Sequence, residues 1–205
     1  MKHVLSILAL ATASLVTVSA AQAQANTPGP GGGGGTSTIS RATLSGPSEM
    51  PPNPSPGYSV STVEISGTTL RVEVPFKELL GITTASHIHC CTGTAFTGVA
   101  PIALPFTDFP LGVRSGTYSH AFDLTNEMTF EPAFLTAHGG SASGASSALL
   151  SGIAANEAYV NIHTNRFPNG EIRGFIVAAP IPEPASWAML GMGLAGLGFM
   201  ARRKV

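Results

Sequence analysis

Charge and cysteine are both scarce in this chain. Asp, Glu, Lys and Arg together make up 10% of its 205 residues, and the formal net charge is −1. No basic patch of the kind that holds a phosphate backbone is present, which argues against a nucleic-acid partner. The only two cysteines are adjacent, Cys90 and Cys91, and have no other partner in the chain. Recognisable catalytic sets are missing as well. There is no G-x-S-x-G nucleophile motif, since "GGSASG" has the wrong spacing, and there is no glycine-rich phosphate loop. No two carboxylates are placed persuasively for glycoside hydrolysis. No repeat of 20–50 residues, the period of solenoids and propellers, is visible.

What the chain does have begins at its ends. "MKHVLSILALATASLVTVSAAQAQA" opens with Lys2 and His3, continues with an apolar run from Val4 to Val18, and ends in Ala21-Gln22-Ala23 or Ala23-Gln24-Ala25. This is the pattern of a secretory signal peptide, expected over residues 1–25 and removed by signal peptidase. At the other end, "IPEPASWAMLGMGLAGLGFMARRKV" sets Pro182, Glu183 and Pro184 before an apolar run from Ala185 to Met200 and the basic cluster Arg202, Arg203, Lys204. The run is at or just below the length needed for a helix to cross the hydrocarbon core. The basic cluster would keep its end in the cytoplasm. Residues 181–205 resemble the PEP-CTERM sorting signal of Gram-negative bacteria, with its short transmembrane helix. The resemblance implies an inner-membrane-tethered precursor, handled by an exosortase near Pro182-Glu183-Pro184. The mature protein is then expected in the cell envelope or outside.

Residues 26–40, including "NTPGPGGGGGTSTIS", read as a flexible Gly/Pro/Ser-rich tether. Beyond it, hydrophobic alternation favours strands. "YSVSTVEI", Ser66-Gly67 and "TTLRVEVPF" form a hairpin in which Val63 and Ile65 answer Leu70, Val72 and Val74. "SHIHC", "GTYSHAFDL", "YVNIHT" and "EIRGFIV" read as further strands. Over 144–158, Leu149, Leu150 and Ile153 stand at helical spacing and predict one short helix. The fold class is all-β: a single antiparallel sandwich or barrel with one short helix, plus the C-terminal hydrophobic helix.

"ATLSGPSEMPP", "ASHIH" and "AYVNIHTNRFPNGEIRGFI" together resemble the CHRD (chordin-type) domain, over residues 41–179. The resemblance implies an extracellular immunoglobulin-like β-barrel and carries no established reaction with it.

In a strand, alternate side chains share a face. Ile88 should face the core, and His87 and His89 should face away from it. Val160 and Ile162 likewise leave Tyr159, Asn161 and His163 on the other face. Ile172 and Ile176 leave Glu171 and Arg173 outward. If the strands are neighbours, these polar residues converge. His87, His89 and His163 could then bind Cu or Zn through neutral imidazoles. The alternative is a hydrogen-bonded outer-face patch of Asn161, Glu171 and Arg173, the last two as an ion pair. Cys90 and Cys91 could form a vicinal disulfide capping the strand, an intermolecular bridge, or a thiolate ligand beside His89.

Two functions therefore stand. One is an exported binding or structural module of the envelope or extracellular matrix, with a polysaccharide or protein ligand and no enzymatic role. The other is a metal-binding barrel or metal-dependent enzyme using His87, His89 and His163.

Overall fold

The computed structural model describes residues 37–178. The expected signal peptide, most of the tether, and the sorting segment with its hydrophobic helix lie outside the described residues. Among the described residues, no helix is long and apolar enough to cross a membrane.

The strands are β1 (Thr38–Ser45), β2 (Tyr58–Ser66), β3 (Thr69–Lys77), β4 (Thr83–His89), β5 (Ile102–Pro105), β6 (Gly116–Asp123), β7 (Tyr159–Thr164), β8 (Ile172–Phe175) and β9 (Val177–Ala178). They form one sheet in the order β5-β4-β7-β8-β1-β2-β3-β6, with β9 also on β1. All pairings are antiparallel. The predicted hairpin pairs Val63 with Val72 and Ile65 with Leu70. Its two-residue turn places Gly67 at φ 58°, a conformation that costs glycine nothing.

The inner face carries Leu44, Val63, Leu70, Val72, Val74, Ile88, Val160, Ile162 and Ile172, all fully buried. β5 and β6 stand at opposite ends of the strand order, yet aromatic residues bring these ends together. The Phe106 ring, just past β5, stacks on Tyr118 of β6 at 5.0 Å, and Phe109 lies 5.3 Å from both Phe76 and Tyr118. The sheet is therefore curled around its core.

Among the described residues, two α-helices accompany the sheet. α2 (Ala142–Ala154) buries Ala142, Ala145, Leu149, Gly152 and Ile153, and the Ser141 hydroxyl accepts from the Gly144 N–H at its start. The helix predicted over 144–158 thus begins and ends earlier. Asn156, at φ 59°, is in the left-handed region and cannot continue it. α1 (Pro132–Ala137) was not expected from periodicity. Its six residues are too few to display one, although Pro132 in its first turn is a start signal.

Candidate metal centre

β4 carries His87 and His89 on either side of buried Ile88, and β7 lies beside it in antiparallel register. His87 stands opposite Asn161, His89 opposite Tyr159 and Ala85 opposite His163. All three imidazoles consequently share the sheet face that turns away from the apolar core. Ring centroids are 5.0 Å apart for His87–His163, 5.6 Å for His87–His89 and 6.0 Å for His89–His163. Each ring offers one nitrogen, and the three lie within 4.8 Å of one another. A tetrahedral zinc shell needs ligand nitrogens about 3–4 Å apart. Side chains at i and i+2 begin about 6.5–7 Å apart along a strand, so the rings have already leaned most of the way.

The remaining ring nitrogens fix the tautomers. His89 Nδ1 is 2.9 Å from the Ala100 carbonyl and His163 Nδ1 is 2.8 Å from the Pro168 carbonyl. A carbonyl only accepts, so each Nδ1 carries the proton and each Nε2 presents a lone pair. This is the arrangement in which metal-binding histidines are held. Burial, followed by the nearby His163 and His89 rings, lowers the pKa of His87 to about 4. Burial lowers that of His89 to about 4 against the opposing Ala100 carbonyl, and lowers that of His163 as well. All three rings are therefore neutral, the form that ligates metal.

This face is not solvent-exposed, which corrects the outward placement of Asn161, Glu171 and Arg173. Their exposures are 2%, 0% and 4%. The segments 46–57 and 92–101 lie over the face, and their polar groups partner these residues. Arg173 donates from Nε to the Ser48 carbonyl and from an Nη to the Gly98 carbonyl, both at 3.0 Å. Its guanidinium sits 4.6 Å over the Tyr159 ring, which in turn stacks on His89 at 4.8 Å. The expected Glu171–Arg173 ion pair does not form. Glu171 lies on the Thr164 side of the strand and accepts from Ser55 Oγ, Thr164 Oγ1 and the backbone N–H groups of Leu80 and Gly81. Burial alone would raise its pKa, but these four bonds outweigh burial and lower it.

The acid that does share the histidine face is Glu49. It is 6% exposed and accepts from Asn161 Nδ2 at 2.6 Å. Burial raises its carboxyl pKa to about 7, against the opposing influences of Arg173 and Asn161. Gly170 admits this pair: a Cβ there would stand 2.5 Å from both Asn161 Nδ2 and Glu49 Oε1. Sequence reasoning missed Glu49. The only signal was its place in "SGPSEMPP", where it is the single charged residue.

Cys90 and Cys91 are joined to each other as a disulfide. Both sulfurs lie near the Ala148 carbonyl of α2, where Gly152 leaves room for them. In this state neither sulfur is free to act as a thiolate ligand beside His89.

A family model described as the CHRD domain matches residues 40–176, and one described as the PEP-CTERM protein-sorting motif matches residues 180–204. No curated protein and no solved structure matches the chain.

Proposed function

The chain belongs to the CHRD domain family, and from that premise we propose that it is an exported envelope or matrix protein whose domain binds a transition metal, Zn or Cu, through His87, His89 and His163. Export itself follows from the PEP-CTERM motif, which marks a membrane-anchored precursor processed by an exosortase. The division into a signal peptide at 1–25, a tether at 26–40 whose last residues, Thr38–Ser40, already belong to β1, a domain at 41–179 and a sorting segment at 181–205 is part of this reading. So are cleavage near Pro182-Glu183-Pro184 and the immunoglobulin-like form of the barrel. The curled antiparallel sheet supports the last of these.

One observation carries the metal reading: three neutral imidazoles, two of them oriented by backbone carbonyls, converge with free nitrogens within 4.8 Å. Three imidazoles suit Zn or Cu and disfavour Ca or Mg, which prefer oxygen. The Arg173 guanidinium, held by two carbonyls and the Tyr159 face, keeps its charge and disfavours positive charge at His89, so a cation binds here against it. A matrix or envelope binding role for polysaccharide or protein remains compatible with this site and would use other surfaces.

The test is elemental analysis and intact mass of protein recovered from the envelope or medium. We expect close to one Zn or Cu per chain, a mass without the two terminal segments, and at least a hundredfold weaker metal binding in His87→Ala. Outer-sphere partners alone are worth about 10–100-fold, and a lost ligand is worth more. Equal metal content in wild type and variant would refute the site. A released form that retains residues 185–205 would refute the processing.

A further inference from the structure

Among the described residues, four buried side-chain polar atoms have no hydrogen-bond partner: His87 Nδ1, His89 Nε2, His163 Nε2 and Asn161 Oδ1. All four belong to one face of β4 and β7. Buried polar atoms are nearly always partnered, so four exceptions in one place point to a bound group. The three nitrogens are accounted for by a metal. The amide oxygen is not.

We infer that the fourth coordination position, on the Asn161 side, takes a small exogenous ligand that donates a hydrogen bond to Asn161 Oδ1. The inference rests on the metal reading above. Water or hydroxide would hold this position at rest, exchangeable for another small molecule bearing O–H or N–H.

Register puts Asn161 in the right place. It stands directly across from His87 and two residues before His163 on the same face, so its side chain borders both ligands. Its orientation is set from outside, because Nδ2 is committed to Glu49 at 2.6 Å and Gly170 closes the space beside them. Oδ1 is the atom left to face the site. An amide oxygen is an uncommon zinc ligand, whereas three histidines and one water make up the open form of the site. Oδ1 therefore acts as the acceptor for the metal-bound ligand, and Glu49 as the residue that positions it. A groove of about 290 Å³ lies on the other side of Glu49 and Pro168, whose carbonyl holds His163, and neither Asn161 nor a histidine lines it.

The test uses the full chain loaded with Co(II), whose visible absorption reports coordination. Azide is the probe, because it ligates through nitrogen and, as the anion, donates no hydrogen bond. In wild type, azide must displace a water that Asn161 holds. Asn161→Leu removes the acceptor, and Glu49→Leu frees the amide to turn. Glu49→Gln retains a carbonyl for Nδ2 and should restore wild-type behaviour. Azide is titrated with Co(II) at saturation in all three variants, because loss of an outer-sphere partner weakens metal binding by about 10–100-fold. Azide should bind about three- to tenfold tighter in Asn161→Leu and Glu49→Leu, the value of one hydrogen bond, and as in wild type in Glu49→Gln. If thermal unfolding shows that Asn161→Leu does not fold, the Glu49 pair decides. Equal azide affinity throughout, or a Co(II) spectrum insensitive to azide in wild type, overturns the inference and leaves the metal site standing. Failure of wild type to bind Co(II) overturns the metal reading and the inference with it.

Discussion

β3 and β7 differ in what covers their second face. β3 alternates buried and exposed residues along its whole length, whereas in β7 five of six residues are buried. Both sequences alternate apolar and polar residues, and both present the apolar set to the same core. Over β3 the polar set, including Arg71 and Glu73, meets solvent. Over β7 and its neighbours it meets two loops whose backbone carbonyls and Glu49 take up its hydrogen-bonding capacity. Covering a polar face makes each group on it expensive to leave unpaired. Residues there must have specific partners or hold a ligand.

Three measurements bear on that contrast. The largest effect should come from Glu171→Leu, which leaves two backbone N–H groups and two hydroxyls without their acceptor. A loss of about 4 kcal/mol is expected in denaturant unfolding, since each stranded buried donor costs about 1–3 kcal/mol. A loss below about 1 kcal/mol would mean that water reaches this network and that the cover is loose.

Next in size is the pH dependence of the metal-free protein. The folded pKa values of His87 and His89, about 4, lie below their ordinary value of 6.5. At these two groups the unfolded chain therefore binds more protons between these limits, and their contribution to stability falls as pH drops from about 6.5 to 4. With their partial exposure discounted, the pair should account for about 3 kcal/mol. Glu171, lowered from 4.5, adds stability that is present above that value and lost as pH falls through its folded value. Glu49 runs the other way: burial raises its carboxyl to about 7 from 4.5, so it adds stability as pH falls through that range. The histidine contribution is therefore read in a Glu49→Gln background, where stability that stayed flat from pH 7 to 4.5 would contradict the burial of the imidazoles.

The smallest effect belongs to the open face. Glu73→Ala on β3 should change stability by less than about 0.5 kcal/mol, as exposed substitutions usually do. A cost comparable to that of Glu171→Leu would erase the distinction between the two halves of the sheet.

The inner faces of these strands were legible in the sequence because strand periodicity is local. Ile88, Val160, Ile162 and Ile172 are buried as alternation predicts, and the three histidines share the opposite face for the same reason. The cover was not legible. It depends on contacts such as Asn53 Nδ2 to the Glu171 carbonyl, 118 residues apart, and on a segment rich in proline that has no periodicity of its own. Without the cover, Arg173 had no visible partner except Glu171, and Glu49 had no reason to stand near the histidines. The shortness of α1 hid it in the same way.

The Cys90–Cys91 bond has a topological consequence. Its two ends are one residue apart in sequence, so it encloses no loop. Cross-links stabilise mainly by restricting the unfolded chain, and more so as the enclosed loop grows. This one leaves the unfolded ensemble almost as free as before, and its influence must be exerted in the native state. There it acts as a compact, inflexible sulfur knob at the end of β4, fitted against the flat surface that Gly152 gives α2. The helix and the strand that carries two of the histidines are thus docked by shape, without a tether. A side chain at Gly152 would push the two apart and, through β4, disturb His89 before any bond was broken.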